Sequence, residues 1–576
     1  MTELTYITLN KLSKTLKDEE SFQYKLLLMG NCATQHLATA IKGYAAYVGL
    51  KINLLDVDYN LIDAQVIDTN SDLYSFKPDY VLLYLCSEKL FNEFSVFNNK
   101  EEFADHIYSR ITSYWDTINS RLKTNIIQFS FVEINDSVFG NYGCKAPSSF
   151  IYQIRKLNNL VVEGAQQYKN VLILDLNSIQ MSFGRSQFFD DKFYYMAKLP
   201  ISLNALPEVA KNVIDIINAI RGVFKKCVIC DLDNTLWGGV IGDDGIEGIQ
   251  IGELGVGHAF EEFQRYLLLL KERGIILAVC SKNNEETAKE PFIKHPEMVL
   301  KLDDFAVFVA NWEDKASNIK YIQKILNIGM DSIVFFDDNS FERNLVKSII
   351  PEITVPELPE DPAHYVGYIR SLNLFETASF SSEDKNRTKQ YQSEINRINS
   401  QKMFSSYEEY LESLEMVAGV KPFDDFNTPR LAQLSQRSNQ FNLRTVRLTE
   451  ENVQSLIKDD SYIATYFTLK DKFGDHGLIS MVILKKINNE QLFVENWLMS
   501  CRVLKRGVEE FVSDTIVKSA KDNGFKSIVA EYIPTPKNSM VKDLYKNMGF
   551  VDDGNNKYHV DVDKYVYHKT YIKKGE

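Results

Sequence analysis

Long apolar runs are missing from this 576-residue chain. Nothing in it approaches the roughly 18 consecutive apolar residues that cross a bilayer. The runs 267–270 and 275–279 are parted by Lys271, Glu272 and Arg273, so no membrane partner is expected. Cysteine is scarce, with seven residues scattered at 32, 86, 144, 227, 230, 280 and 501. An odd, dispersed set argues against a disulfide framework and for reduced thiols. Cys227 and Cys230 have CxxC spacing, but strand residues three apart face opposite ways, and no second pair stands nearby to complete a zinc site. Proline (14) and glycine (27) are too few for a fibrous or disordered chain. Positive charge is in deficit: 65 Lys and Arg against 78 Asp and Glu leave a net charge of −13. That balance argues against a general nucleic-acid surface. Phosphate chemistry in so acidic a protein is expected to be local and metal-assisted. Residues 1–20 hold acids and lysines in place of a signal's apolar core and cleavage site, so a cytoplasmic location is expected.

What is present is a globular composition, 45% hydrophobic and 25% charged, in a length that suits about three domains. Residues 1–222 alternate strand-length apolar runs (25–29, 52–57, 79–85, 125–131, 170–176) with amphipathic helix patterns such as 101–122 and 149–167. That alternation predicts a doubly wound parallel α/β domain. A second α/β series fills 223–356, with strands at 227–230, 275–280, 305–309 and 332–336 and helices at 258–273 and 315–326. The polar stretch 357–419, with a helical signal at 383–399, reads as a helical connector. Residues 420–576 read as an α+β domain with an antiparallel sheet: a helix at 429–438, strands at 463–469, 477–485 and 492–499, a helix at 507–523 and a strand at 527–532.

The segment Cys230-Asp231-Leu232-Asp233-Asn234-Thr235-Leu236-Trp237 ends an apolar strand in two acids spaced i and i+2. Strand geometry aims both carboxylates the same way, off the carboxyl end of the sheet. Two such charges repel unless a cation sits between them, and magnesium is the simplest resolution. The next strand ends at Ser281-Lys282-Asn283, offering a hydroxyl, an amide and a helix N-terminus to phosphoryl oxygens. Lys315 follows the third and can neutralise developing charge. Asp337-Asp338 closes the fourth with further metal ligands. Nucleophile, donor, cation and metal ligands thus arrive in chain order.

These four motifs resemble those of the haloacid dehalogenase (HAD) phosphatase superfamily. The resemblance implies that Asp231 attacks phosphorus and becomes an aspartyl phosphate, and that Asp233 protonates the leaving oxygen and later deprotonates water. It also implies that Ser281 and Lys315 hold the transferring group. Asp231, the backbone carbonyl of Asp233 and Asp338 would bind Mg2+, with Asp337 competing for the last position. Little sequence is left for a cap domain, which suits a bulky or protein-tethered substrate. The longer string from Asp231 to Gly245 is similar to the FkbH-like branch, associated with polyketide and related assembly lines. That likeness implies a phosphatase and acyltransferase that takes a glyceryl unit from a small phosphorylated donor such as bisphosphoglycerate, removes phosphate, and loads the acyl group as a thioester on an acyl carrier protein. A plain small-molecule phosphatase with a binding C-terminal domain, and a non-enzymatic scaffold, are the competing readings.

The family likeness continues through Gln433 to Leu443, Asp471 to Gly477, Ser500 to Glu509 and Pro534 to Asn538, and the last domain is similar to the GNAT acyltransferase fold. There a loop of pattern (Arg/Gln)-x-x-Gly-x-Gly opens a helix and binds coenzyme A diphosphate through backbone N–H groups. Here the loop reads Arg502-Val503-Leu504-Lys505-Arg506-Gly507, with Lys505 in the first Gly position, where a Cβ disfavours positive φ. Lys505 and Arg506 are therefore expected to hold a phosphopantetheine phosphate by direct charge, with Arg502 and Gly507 completing the expected site for that phosphate or for coenzyme A. Cys501 is the candidate acyl acceptor, with His476 its candidate base. In the first domain, Gly30-Asn31-Cys32 resembles the Gly-Asp-Ser turn of SGNH-type esterases. Such an enzyme also needs a late Asp-x-x-His, and the stretch from Asp190 puts Tyr194 where the imidazole belongs. A docking or scaffolding module without hydrolase activity is expected.

Overall fold

In the computed structural model, which describes residues 4–15, 22–380, 388, 391, 392, 404 and 406–575 apart from the side chain of Cys501, the chain folds as two units, Met1–Asn218 and Ala219–Glu576. The first is built on five short strands: β1 (Tyr24–Gly30), β2 (Ile52–Asp56), β3 (Tyr80–Tyr84), β4 (Asn125–Phe129) and β5 (Val171–Leu174). All pair in parallel, in the order β2-β1-β3-β4-β5. Helices on both faces bury β1 and β3, which is why these runs read as continuously apolar instead of alternating. The helix Tyr6–Ser13, absent from the sequence reading, crosses the helix Gln35–Tyr47 at Gly43, where a Cβ would stand 2.1 Å from the Leu9 carbonyl oxygen.

The second unit opens with a four-stranded parallel sheet of β6 (Cys227–Cys230), β7 (Ile276–Ser281), β8 (Phe305–Ala310) and β9 (Ile333–Phe336), ordered β8-β7-β6-β9. Between β6 and β7 the chain adds a short helix, Ile241–Gly248, and the packing helix Val256–Glu272. Between β7 and β8 it adds the helix Glu285–Lys294 and one 3-10 turn, so no further domain interrupts this sheet among the described residues. The stretch read as a connector begins as part of this domain: Leu358, Tyr365, Ile369 and Phe375 join the core of Phe263 and Phe336. The helical signal at 383–399 lies outside the described residues but for Thr388, Tyr391 and Gln392.

The rest of the unit forms an eight-stranded sheet of β10 (Val417–Pro422), β11 (Tyr462–Asp471), β12 (Gly474–Lys486), β13 (Gln491–Met499), β14 (Ser527–Glu531), β15 (Val551–Gly554), β16 (Lys557–Asp561) and β17 (Lys573–Lys574). Its order is β15-β16-β14-β13-β12-β11-β10-β17. It is antiparallel except where β13 meets β14 and β10 meets β17. β13 and β14 pair over Gln491–Phe493 alone and then diverge. The widening gap is filled by the protein's own chain: Leu443 N donates to the Trp497 carbonyl (3.2 Å), Met499 N to that of Phe441 (3.1 Å), and Ile533 N to that of Leu443 (2.9 Å). Arg444 closes the same gap with ion pairs to Glu495 (2.9 Å) and Glu531 (3.2 Å). The backbone groups that divergence leaves open are thereby satisfied internally.

Candidate active site

The carboxyl ends of β6, β7 and β9 and the start of the helix Lys315–Leu326 converge on one buried point. Lys315, 3% exposed, lies 2.8 Å from Asp231 Oδ2 and 2.5 Å from Asp337 Oδ2. Burial works against its charge, but the two carboxylates outweigh it and hold the pKa above that of an ordinary lysine. One lysine cannot neutralise three acids. Carboxylate oxygens of Asp231, Asp337 and Asp338 lie within 4.8 Å of one another, and Asp231 Oδ1 is buried with no hydrogen-bond partner among the described residues. Burial and the Asp231 charge push Asp337 up to about 6, and the same two causes raise Asp338. A cluster of hard oxygen donors with an orphaned oxygen and excess negative charge fits a small divalent cation such as Mg2+.

Asp233 is handled differently. Its Oδ1 accepts from Trp237 Nε1 and Ile241 N, both at 3.0 Å, and its Oδ2 from Asn283 Nδ2 at 2.9 Å. The carboxylate is therefore outside the cation cluster, so the part of Asp233 left for a metal is its backbone carbonyl. Burial, ahead of all else, raises its pKa, which favours a protonated, donating carboxyl. Asn283, expected to touch phosphate, thus spends its amide on Asp233 and acts as a positioning residue. Ser281 is buried at the end of β7.

Several supports escaped the sequence reading. Thr235 Oγ1 accepts from Asp338 N (3.1 Å), and buried Arg343 donates to the carbonyls of Asp337 (2.8 Å) and Asp338 (2.5 Å). Asn234 takes a left-handed conformation (φ 53°), and its carbonyl accepts from Tyr365 Oη at 3.2 Å. Trp237, four residues past Asp233 in an acidic turn, carried a visible signal. Arg343 and Tyr365, over 100 positions from Asp231, carried none.

In the C-terminal domain, Lys505 adopts positive φ (62°) despite its Cβ, as does Gly507 (80°). Lys505 N donates to Glu509 Oε1 (2.9 Å) and its carbonyl accepts from Tyr407 Oη. Arg506, expected to bind phosphate, is 5% exposed: it lies 3.9 Å from Asp471 and 3.4 Å from His476 Nε2, and donates to the Arg502 carbonyl (2.7 Å). His476 Nε2 is also 3.1 Å from Asp471 Oδ2. Asp471, His476 and Arg506 form a buried network that fixes the loop, which places His476 and Arg506 in its scaffold. The backbone of Cys501 starts a 3-10 turn, Cys501–Val503, and its side chain lies outside the description.

In the first unit, Asn31, Cys32 and Tyr194 border one cavity of about 340 Å³ together with Cys86 and Lys89, and none of its described lining residues is histidine. Burial, and Cys86 beside it, push the Cys32 thiol well up, leaving it protonated.

A family profile described as "FkbH, N-terminal domain" matches residues 25–218. Among solved structures, the N-terminal part of the protein BF1531 from Bacteroides fragilis, containing a phosphatase domain complexed with Mg, is 48% identical. The match covers 66% of this chain and 100% of that one, with a TM-score of 0.62. The ribosomal-protein-S18-alanine N-acetyltransferase of Escherichia coli is 13% identical over 25% of this chain and 94% of its own, at a TM-score of 0.20. Spermidine N-acetyltransferase from Vibrio cholerae in complex with CoA and spermine is 15% identical over 26% and 97%, at 0.21. No curated protein matches the chain.

Proposed function

This chain belongs to the family of the Bacteroides fragilis phosphatase-domain protein and carries an FkbH N-terminal domain; from that premise we propose that it is a magnesium-dependent phosphatase coupled to acyl transfer. It would take a glyceryl or similar three-carbon acyl unit from a phosphorylated donor and deliver it as a thioester to an acyl carrier protein. The observation that carries the phosphatase half is the orphaned Asp231 oxygen beside Lys315, Asp337 and Asp338, with a separately held Asp233 across from it.

Asp231, Asp338, the Asp233 carbonyl and Asp337 through its shared contact would hold Mg2+, which supplies charge neutralisation for the phosphoryl oxygens when bound. Asp231 attacks phosphorus, forming a new P–O bond as the bond to the leaving oxygen breaks. Asp233 gives that oxygen its proton. Water then attacks the aspartyl phosphate while Asp233 takes its proton, and the P–O bond to Asp231 breaks to restore the carboxylate. Lys315, 2.8 Å from Asp231 Oδ2, orients that side chain for attack. Asn283 and Trp237 hold the Asp233 carboxyl in place between the two steps. The acyl half rests on the resemblance in the C-terminal domain, where the Cys501 thiol would attack the acyl carbon of an acyl phosphate donor, the C–S bond forming as the C–O bond to phosphate breaks and phosphate leaves, while Asp231 would act on a phosphate ester of the same unit.

The test is phosphate release together with intact-protein mass after incubation with bisphosphoglycerate and Mg2+. Wild type should release phosphate and gain a glyceryl-sized adduct. Cys501→Ser should release phosphate without the adduct. Phosphate release without any adduct in wild type would leave a plain phosphatase, and multiple-turnover release surviving in Asp231→Asn would remove the mechanism.

A further inference from the structure

No further domain interrupts the four-stranded sheet among the described residues, so the mouth of the Asp231 site is shaped by the turns at the carboxyl ends of its strands. The turn after β8 carries Trp312, which is 77% exposed, whereas the other three tryptophans of the chain, Trp115, Trp237 and Trp497, are fully buried. An isolated exposed apolar side chain is ordinary. This one is fixed in place beside the site. Asn311 N donates to the Ser281 carbonyl (3.2 Å), Asn311 and Asn318 exchange two side-chain hydrogen bonds (3.2 and 2.8 Å), and Asn311 Oδ1 also accepts from Glu313 N (3.0 Å). Asp314 Oδ1 accepts from Ser317 N (2.8 Å) and caps the helix that starts at Lys315. Trp312 thus stands on a pinned turn, tied to Ser281 at one end and supplying Lys315 at the other.

The opposite rim repeats the arrangement. Phe341, in the first turn of the helix Ser340–Ile349 that follows Asp337 and Asp338, is 68% exposed, and its N–H donates to Asn339 Oδ1 (2.9 Å). Its neighbour Glu342 is buried and pairs with Lys282 (2.6 Å), the residue after Ser281. In the order β8-β7-β6-β9, that pair links the elements on either side of β6, whose end carries Asp231. The end of β9 lies one strand spacing from that of β6, about 5 Å, and the end of β8 lies two, about 10 Å. A three-carbon ester extends only about 5 Å from its phosphorus, short of the β8 turn.

We propose that Trp312 is a specificity-determining residue of the phosphatase site, packing against an apolar stretch in the organic part of the substrate, so that the preferred phosphate ester is one carried on an arm longer than three carbons. This rests on the phosphatase reading above. The substrate itself is what covers the indole: a phosphoryl group at Asp231 fixes one end of the molecule, and the remainder leaves through a mouth rimmed by Trp312 and Phe341. An indole presents a large, flat apolar face, and truncating such a residue in a contact removes binding without touching the reacting atoms. A contact of that kind is made equally in the ground state and the transition state, so its loss falls on KM and spares kcat.

The experiment is steady-state phosphate release by the full chain with Mg2+ from two esters that differ only in the length of an apolar arm, ethyl phosphate and hexyl phosphate. Wild type should show the lower KM for hexyl phosphate. Trp312→Ala should raise that KM about tenfold with kcat unchanged and leave the KM for ethyl phosphate within about twofold, and Trp312→Phe should restore most of the difference. Because the other tryptophans are buried, acrylamide quenching in Asp231→Asn with Mg2+ reads Trp312 without turnover. Hexyl phosphate should protect the indole from quenching, and ethyl phosphate should not. Equal KM for the two esters in wild type, a hexyl phosphate KM unmoved by Trp312→Ala, or quenching unchanged by hexyl phosphate would each overturn the assignment and leave the phosphatase standing. Protection by hexyl phosphate alongside absent phosphate release in the earlier assay would sink the phosphatase reading and keep the contact.

Discussion

Asp231 and Asp233 stand two positions apart in surroundings that fit them for different tasks in the proposed reaction. Asp231 shares a lysine with Asp337 and keeps one oxygen unpartnered, whereas Asp233 has both oxygens occupied by N–H donors. Asp231→Asn should lower phosphate release at least about 10³-fold, measured as inorganic phosphate under saturating Mg2+. Removing the amide that orients Asp233, in Asn283→Ala, should lower kcat about tenfold with KM little changed, which steady-state kinetics would separate from a binding defect. A third expectation concerns pH. Asp337 titrates at about 6 in the metal-free protein, and a metal binds its ionised form. Apparent Mg2+ affinity should therefore be flat above pH 6 and fall up to about tenfold per unit below it, in titrations that follow metal binding directly. The cluster of Asp231, Asp337 and Asp338 was legible because acids that end apolar strands stand out in the sequence. The role of Asn283 was not, since an asparagine after a strand reads equally well as a phosphate donor. Arg343 is a contact made by folding, and no spacing rule points to it.

At the scale of elements, strands buried on both faces were read most closely, and half-buried ones such as β2, β11 and β14 were read as well. β1, β3, β6 and β9 are continuous apolar runs, and the sequence placed each within about two residues. β15 and β17 escaped because all their residues are exposed, so no apolar signal distinguishes them from loop. The connector was misjudged for a related reason: Leu358, Tyr365, Ile369 and Phe375 are spread through polar sequence, and only packing shows that they belong to one core. Junctions between elements also carry strain that sequence hides. Gly222 sits at φ +73° after the helix Leu206–Ile220, and a Cβ there would stand 1.7 Å from the Gln436 carbonyl oxygen. Gly222→Ala should cost about 3 kcal/mol through clash and conformation together, read as a lowered midpoint in urea unfolding.

For the whole molecule, every side chain of the carboxylate cluster and its supports comes from the second unit. A protein trimmed to 219–576 should therefore release phosphate within about twofold of the full chain, compared at equal active-site concentration. The gap beside β13 bears on what the C-terminal domain can select. An extended ligand laid between β13 and β14 has to displace Phe441–Leu443, a competitor that is covalently attached and so present at an effective concentration in the millimolar range. A free ligand at micromolar levels loses that contest. Whatever would enter the gap as an extended strand therefore has to outcompete a segment of the protein's own chain that already holds its hydrogen bonds.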